Sequence, residues 1–241
     1  MKKILSLLLA VCMLFLLCSC SGGSKKVEGA GYKSPEDAAL AYAKALKSCN
    51  VGSILSTFAI ETYVENFSLE KHFEHYKTYV FGGTALPATN DYTKDLAVIN
   101  RQNSIVSSLS SIYVFAGTSE EMKPSYIAQD AQEAQPYVDL FSDDSWMTYA
   151  KQMTIGKTLR MEDFPESQDV AEAMERARSE RCEVWNYDDW KPMAVEVTID
   201  GADYYLCVDT VCYNGKWYNE TPRGTISALI DGSNNYGLAP R

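Results

Sequence analysis

Basic residues are scarce in this chain. Lys and Arg number 22 against 32 Asp and Glu, a formal charge of −10 over 241 residues. Such a surface lacks the cationic footprint that neutralises phosphates, so no nucleic-acid partner is expected. Histidine is nearly absent, with only His72 and His75. A metal site takes three or four ligands, and no Cys-x-x-Cys or His-spaced pair supplies them, so neither metal nor cofactor is expected. There is no Gly-x-Ser-x-Gly and no glycine-rich phosphate loop, and repeated βαβ patterns are missing, which disfavours a two-lobed solute-binding protein. Seven cysteines are too few for a disulfide scaffold. What is present is the composition of a folded domain: 46% hydrophobic, 12% aromatic and 16 tyrosines.

The N-terminus reads as an export signal. Lys2 and Lys3 precede an apolar run from Ile4 to Leu17, broken only by Ser6. The run is short of the roughly 20 residues of a membrane span and fits a signal peptide. It ends in Leu17-Cys18-Ser19-Cys20, which resembles a bacterial lipobox of the Gram-positive type. The resemblance implies cleavage after residue 19 and diacylglyceryl attachment at Cys20, with palmitate-like chains holding the protein on the extracytoplasmic face of the cell membrane. Loss of residues 1–19 would leave 222 of the 241 residues, and loss of Lys2 and Lys3 would move the charge from −10 to −12. Residues 20–32 are small, polar and Gly-rich, and are expected to form a lipidated flexible tether. Cys49, Cys182, Cys207 and Cys212 remain, and buried free thiols are expected. Cys207 and Cys212 lie five apart in a strand and so face opposite ways.

The folded part, expected over 33–241, opens with helices. Ser34-Pro35-Glu36-Asp37 sets an N-cap, a proline at the first helical position and an acid at the third. Ile54, Leu55 and Phe58 predict a short second helix, and Ser68 to Val80 a third. Asp91 to Phe115 predicts one long helix, with Ile99, Val106 and Tyr113 at sevens, flanked by Val98, Ile105, Leu109 and Ile112. Tyr126 to Phe141 reads as a weaker helix interrupted at Pro136, Met153 to Met161 as a hairpin around Gly156, and Asp169 to Arg181 as a charged helix. The period then changes to two. Met193–Ile199, Asp203–Tyr213 and a strand from Lys216 alternate, joined by the turn signals Asp200-Gly201 and Asn214-Gly215. Ala228 to Arg241 is expected to be loosely ordered. Helices first and antiparallel strands last make the fold class α+β.

Two segments carry a wider resemblance. Ser34 to Ala39 with Ala45-Leu46 and Ile54 to Phe58, and then Val195 to Tyr218, resemble the opening helices and closing hairpins of nuclear transport factor-like, or cystatin-like, domains. The resemblance implies a cone: helices packed on a curved antiparallel sheet. The family is shorter than this chain, so a largely helical insertion is expected at about 83–181. Its members include isomerase-like and dehydratase enzymes, small-ligand binders and contact domains, and the fold alone selects none of them.

Candidate chemistry is thin. His72 is expected at the edge of the apolar stripe of its helix, and His75 on the polar side. Asp203 and Asp209 share a strand face with Tyr205 and Cys207, opposite the core-like Tyr204, Leu206 and Val208. Both are thus expected outside, yet either would serve as a general base if its face lined a pocket. Asp143-Asp144 and Asp188-Asp189 are expected to be caps and solvated turns. The reading favoured is a membrane-anchored cell-surface lipoprotein that binds a protein or small molecule without catalysis. The alternatives are an isomerase or dehydratase using a buried Asp, or an accessory module for wall synthesis or transport.

Overall fold

The computed structural model describes residues 26–76, 87–117, 131–142, 145–165, 168–231 and 237–241. Helix α1 (Pro35–Lys47) begins where the sequence places it, with the Ser34 hydroxyl accepting from the Asp37 N–H. It buries Ala38, Ala39, Tyr42, Ala43, Ala45 and Leu46. Asn50 caps α2 (Val51–Leu55) in the same way by accepting from the Ser53 N–H. Short helices α3 (Glu61–Glu65) and α4 (Leu69–Tyr76) follow. The expected extension of α4 to Val80 lies outside the described residues.

The long helix α5 (Asp91–Gly117) forms as expected. Its buried stripe is Val98, Ile105, Leu109 and Ile112, whereas Ile99 is 51% exposed. The repeat of sevens through Ile99 therefore marked the neighbour of the true stripe. Ser108, Ser110 and Ser111 each donate to the carbonyl four residues back, so their hydroxyls are satisfied without breaking the helix. Helix α6 (Ala131–Ser142) runs through Pro136, where an interruption was expected; the proline removes one backbone bond and the helix continues on both sides. Residues 126–130 and the pair Asp143-Asp144 lie outside the described residues. Helix α7 (Ser145–Gln152) completes this part.

No hairpin forms around Gly156. Thr154–Arg160 is a single strand, β1, which pairs antiparallel with β2 (Asp189–Ile199) and carries a bulge between Ile155 and Thr158. A 3₁₀ turn (Met161–Asp163) and helix α8 (Gln168–Trp185) separate the two strands. Strand β2 begins four residues before Met193. Pro192 is tolerated there because pairing with β1 stops at Met193 and leaves that edge open, so its missing N–H costs the ladder nothing on that side. Strands β3 (Ala202–Tyr213) and β4 (Lys216–Thr221) follow through the two expected turns. All four turn residues have positive φ: Asp200 49°, Gly201 79°, Asn214 51° and Gly215 71°, as a type I′ turn requires.

Two parts of the last segment form regular elements, against expectation. Thr225–Asp231 is helix α9, and Leu238–Pro240 is strand β5, which pairs with β3 at Tyr204–Leu206. The sequence hid β5 because its pairing comes from β3 and not from its own residues. The result is an α+β fold with helices on a curved five-stranded antiparallel sheet of order β1-β2-β3-β4, β5 lying beside β3. No helix among the described residues is long and apolar enough to cross a membrane.

The sheet is covered on two sides. On the inner face Met193, Val195, Val197, Ile199, Leu206 and Val208 pack on α1, α2 and α5. On the outer face Ala194 and Cys207 meet Leu159, Ile226 and Ala239. Farther along that face Trp190, Val211, Tyr213 and Tyr218 pack with Tyr187, Met174 and Cys182. Residues 26–32, expected to belong to the tether, are docked on this body. Val27 and Glu28 donate backbone N–H groups to the Glu61 carboxylate. The Glu28 carboxylate in turn accepts from Ile60 N–H, Thr62 N–H and the Thr62 hydroxyl. Tyr32 bridges to Trp217.

Candidate functional site

Between the inner face and the helices, the described side chains are closely buried. Tyr42, Ile54, Phe58, Ile105, Ile112, Met153, Met193 and Leu206 are all essentially inaccessible. Tyr42 and Phe58 meet edge to face at 5.3 Å between ring centroids.

The sequence candidates fall in different places. His72 sits in an aromatic cage on α4, with Phe67, Tyr76 and Trp185 ring centroids 5.3–6.4 Å away. His75 turns toward α8 and pairs with Glu183 at 3.1 Å. Asp203 is exposed and accepts from the Thr198 hydroxyl at 2.7 Å. Cys20 lies outside the described residues. Cys49, Cys182, Cys207 and Cys212 are free thiols, the last two buried. Asp188 accepts from the Gly215 N–H in the second turn, and Asp189 accepts from Arg178 at 2.7 Å. No group of three or more potential metal ligands gathers among the described residues.

Asp209 departs from expectation. It lies on the outer face, as alternation predicted, but it is only 2% exposed. Helix α9 covers it. The Thr225 N–H and hydroxyl donate to its two carboxylate oxygens at 2.7 and 2.8 Å. Burial pushes its pKa from 3.8 up to about 6; Arg181 opposes the rise, Glu220 adds to it, and the Thr225 hydrogen bonds oppose it. Both oxygens are thus committed to starting α9, which is the role of a cap rather than of a free base.

Beside Asp209 runs a row of half-buried and buried charge and aromatics that the sequence did not flag. Arg101 of α5 donates to the carbonyls of Ala59 and Glu220 and lies over the Tyr63 ring at 3.9 Å. Tyr63 stacks on Trp185 and Trp185 on Tyr187, with centroids 5.6 and 6.2 Å apart. Tyr187 meets Tyr213 edge to face at 5.2 Å. Arg181 of α8 pairs with Glu220 at 3.4 Å and stands over Trp190 at 5.1 Å. Burial works against the charge on Arg181, but Glu220 and Asp209 outweigh it and keep the guanidinium ionised. Burial likewise holds the Tyr63, Tyr187 and Tyr213 hydroxyls protonated well above their usual range. This row ties α3, α5 and α8 to one end of the sheet.

Open space lies on the outer face, in two chambers that share Met161. One, of about 330 Å³, sits where β2 runs on past its pairing with β1 at Met193. Trp190, Pro192 and Met193 line it with Ala171, Met174 and Arg178 of α8. The other, of about 440 Å³, is lined by Phe164, Pro165, Tyr205, Ile226, Leu229 and Pro240 among others, and its one charged residue is Arg241. Both sizes fall within the roughly 300–1,000 Å³ of small-ligand sites. Nothing in the sequence hinted at these chambers, because their walls come from six separate segments of the chain.

No family model and no curated sequence relative matches the chain. Among solved structures it is similar to a cystatin-like protein from Ruminococcus gnavus ATCC 29149. The TM-score is 0.53 at 12% identity, covering 78% of this chain and 40% of that one. At that identity the likeness speaks for the fold alone, and the chain spans well under half the length of the protein it matches. By architecture, then, this is a fold of the cystatin-like, nuclear transport factor-like type.

Proposed function

We propose that the protein is a lipid-anchored binding domain held on the extracytoplasmic face of the cell membrane through Cys20, and that it binds its ligand on the outer sheet face rather than inside the cone. The observation that carries this reading is the contrast between the two faces. Among the described residues the inner one buries Tyr42, Phe58 and Ile105 completely or nearly so, while the outer one carries two chambers of ligand size. No catalytic step is assigned, since Asp209, the one buried aspartate among the described residues, has both oxygens bonded to Thr225.

Two experiments test the reading. Membrane fractionation of cells producing Cys20→Ala should move the protein from the membrane to the soluble fraction; a variant that stays with the membrane removes the anchor from the proposal. A thermal-shift screen of small molecules should be run on the protein and on Leu229→Arg, which places a charge in the larger chamber at a residue already 41% exposed. Compounds that stabilise only the unaltered protein support outer-face binding. Compounds acting equally on both, or none acting at all, refute it.

A further inference from the structure

The small core on the outer face is incompletely covered. Ala194, Cys207, Ile226 and Ala239 are fully buried there, and Leu159 nearly so. Met161, Phe164, Tyr205 and Ile230 pack against them but stay half-buried, and all four line the chamber of about 440 Å³. Pro165, Leu229 and Pro240 complete much of its wall and are exposed. A proline has no N–H, so at two of these positions the backbone offers a ligand no donor. Apolar surface thus meets water at a concave place, where a molecule of matching chemistry gains by displacing that water. The one charged lining residue, Arg241, is already engaged. Its guanidinium stands 3.3 Å from the Glu196 carboxylate, and its backbone N–H donates to the Asp203 carbonyl.

We infer that the chamber under α9 takes an uncharged aromatic molecule of about two fused rings, lodged against Phe164 and Tyr205. This rests on the outer-face reading and names the ligand class for the larger of its two chambers; the smaller has no part in it. Charge decides first. An anion would have to displace Glu196 from a partly exposed pair, exchanging one carboxylate for another with little gain. It would also approach a chain of formal charge −10. A cation would meet Arg241 with like charge, and either ion would lose hydration against apolar walls. Shape decides next. Phe164 and Tyr205 meet edge to face at 5.1 Å between centroids, their planes at 80°. A further ring joins such a pair with favourable quadrupole contacts, and it gives up less rotational freedom than a flexible chain.

The test is calorimetric titration with naphthalenemethanol, set beside naphthoate and naphthylmethylammonium, which keep the ring system and change the charge, and octanol, which is uncharged but has no ring. Naphthalenemethanol should bind one to one. Both ions should bind at least about tenfold more weakly, and octanol about threefold more weakly. Leu229→Arg should weaken naphthalenemethanol about tenfold or more by setting a charge at the chamber wall. Phe164→Leu, which keeps apolar bulk and removes the ring, should weaken it about threefold and leave octanol unchanged. Circular dichroism and melting of both variants should match the unaltered protein, and the four-probe series needs no variant. Equal binding of an ion and the alcohol that shares its rings, equal binding of octanol, indifference to either substitution, or no binding of naphthalenemethanol overturns the proposal. If naphthalenemethanol fails while other compounds still lose their stabilising effect in Leu229→Arg, only the ligand class falls. If no compound distinguishes that variant, the outer-face reading falls with it.

Discussion

Replacing Asp209 with asparagine should flatten part of the pH profile of stability. The native carboxyl titrates near 6 against 3.8 when free, because burial disfavours its charge. Between those values the folded state holds a proton that the unfolded state has lost. Stability must therefore fall as pH rises through that window. A shift of about two units corresponds to about 3 kcal/mol of charge burial, fully present above pH 6 and absent below pH 4. The amide of Asp209→Asn would keep an acceptor for the Thr225 N–H but would not titrate. Urea unfolding of the two proteins at half-unit steps from about pH 4 to 7 measures the difference directly. Relative to Asp209→Asn, the unaltered protein should lose up to about 3 kcal/mol across the window, with other carboxylates cancelling in the comparison. Glu220 and Arg181 face the same spot, so part of the difference is theirs in coupling. Parallel profiles would refute the burial argument, and a difference of opposite slope would mean that Arg181 outweighs burial.

Two other substitutions probe what fastens the ends of the domain. Glu28→Ala removes an acceptor of three hydrogen bonds from Ile60 and Thr62; it should cost about 2–4 kcal/mol in urea unfolding, and a loss below about 0.5 kcal/mol would mean that residues 26–32 are not fastened in solution. Gly224→Ala places a β-carbon against the backbone of Cys207 and Val208 at a φ of +48°, so stability should fall by about 3 kcal/mol or more, read as a lower melting temperature; an unchanged melting point would show that the turn into α9 relaxes freely.

The local devices of this fold were legible in the chain. Ser34-Pro35 starts a helix because a hydroxyl and a fixed φ act within one turn. Asp-Gly and Asn-Gly close hairpins because they tolerate positive φ wherever they occur. Alternation placed Asp209 opposite the main core for the same reason, since side-chain direction in a strand follows from position alone. Whether that opposite face meets water was a separate matter. Its answer depended on α8 and α9, which arrive from both flanks of the sheet and cover Trp190, Cys207 and Asp209. Strand β5 likewise owes its form to β3, some thirty residues earlier. Even within α5, Val98 and Ile99 are equally apolar, and only packing against α3 and α7 chooses between them. Composition and spacing thus determined the first helix starts, the two hairpin turns and which way the side chains of β2 and β3 point. What lies opposite each side chain was decided only by the assembled sheet, because burial is a property of pairs of surfaces and a sequence lists only one of each pair.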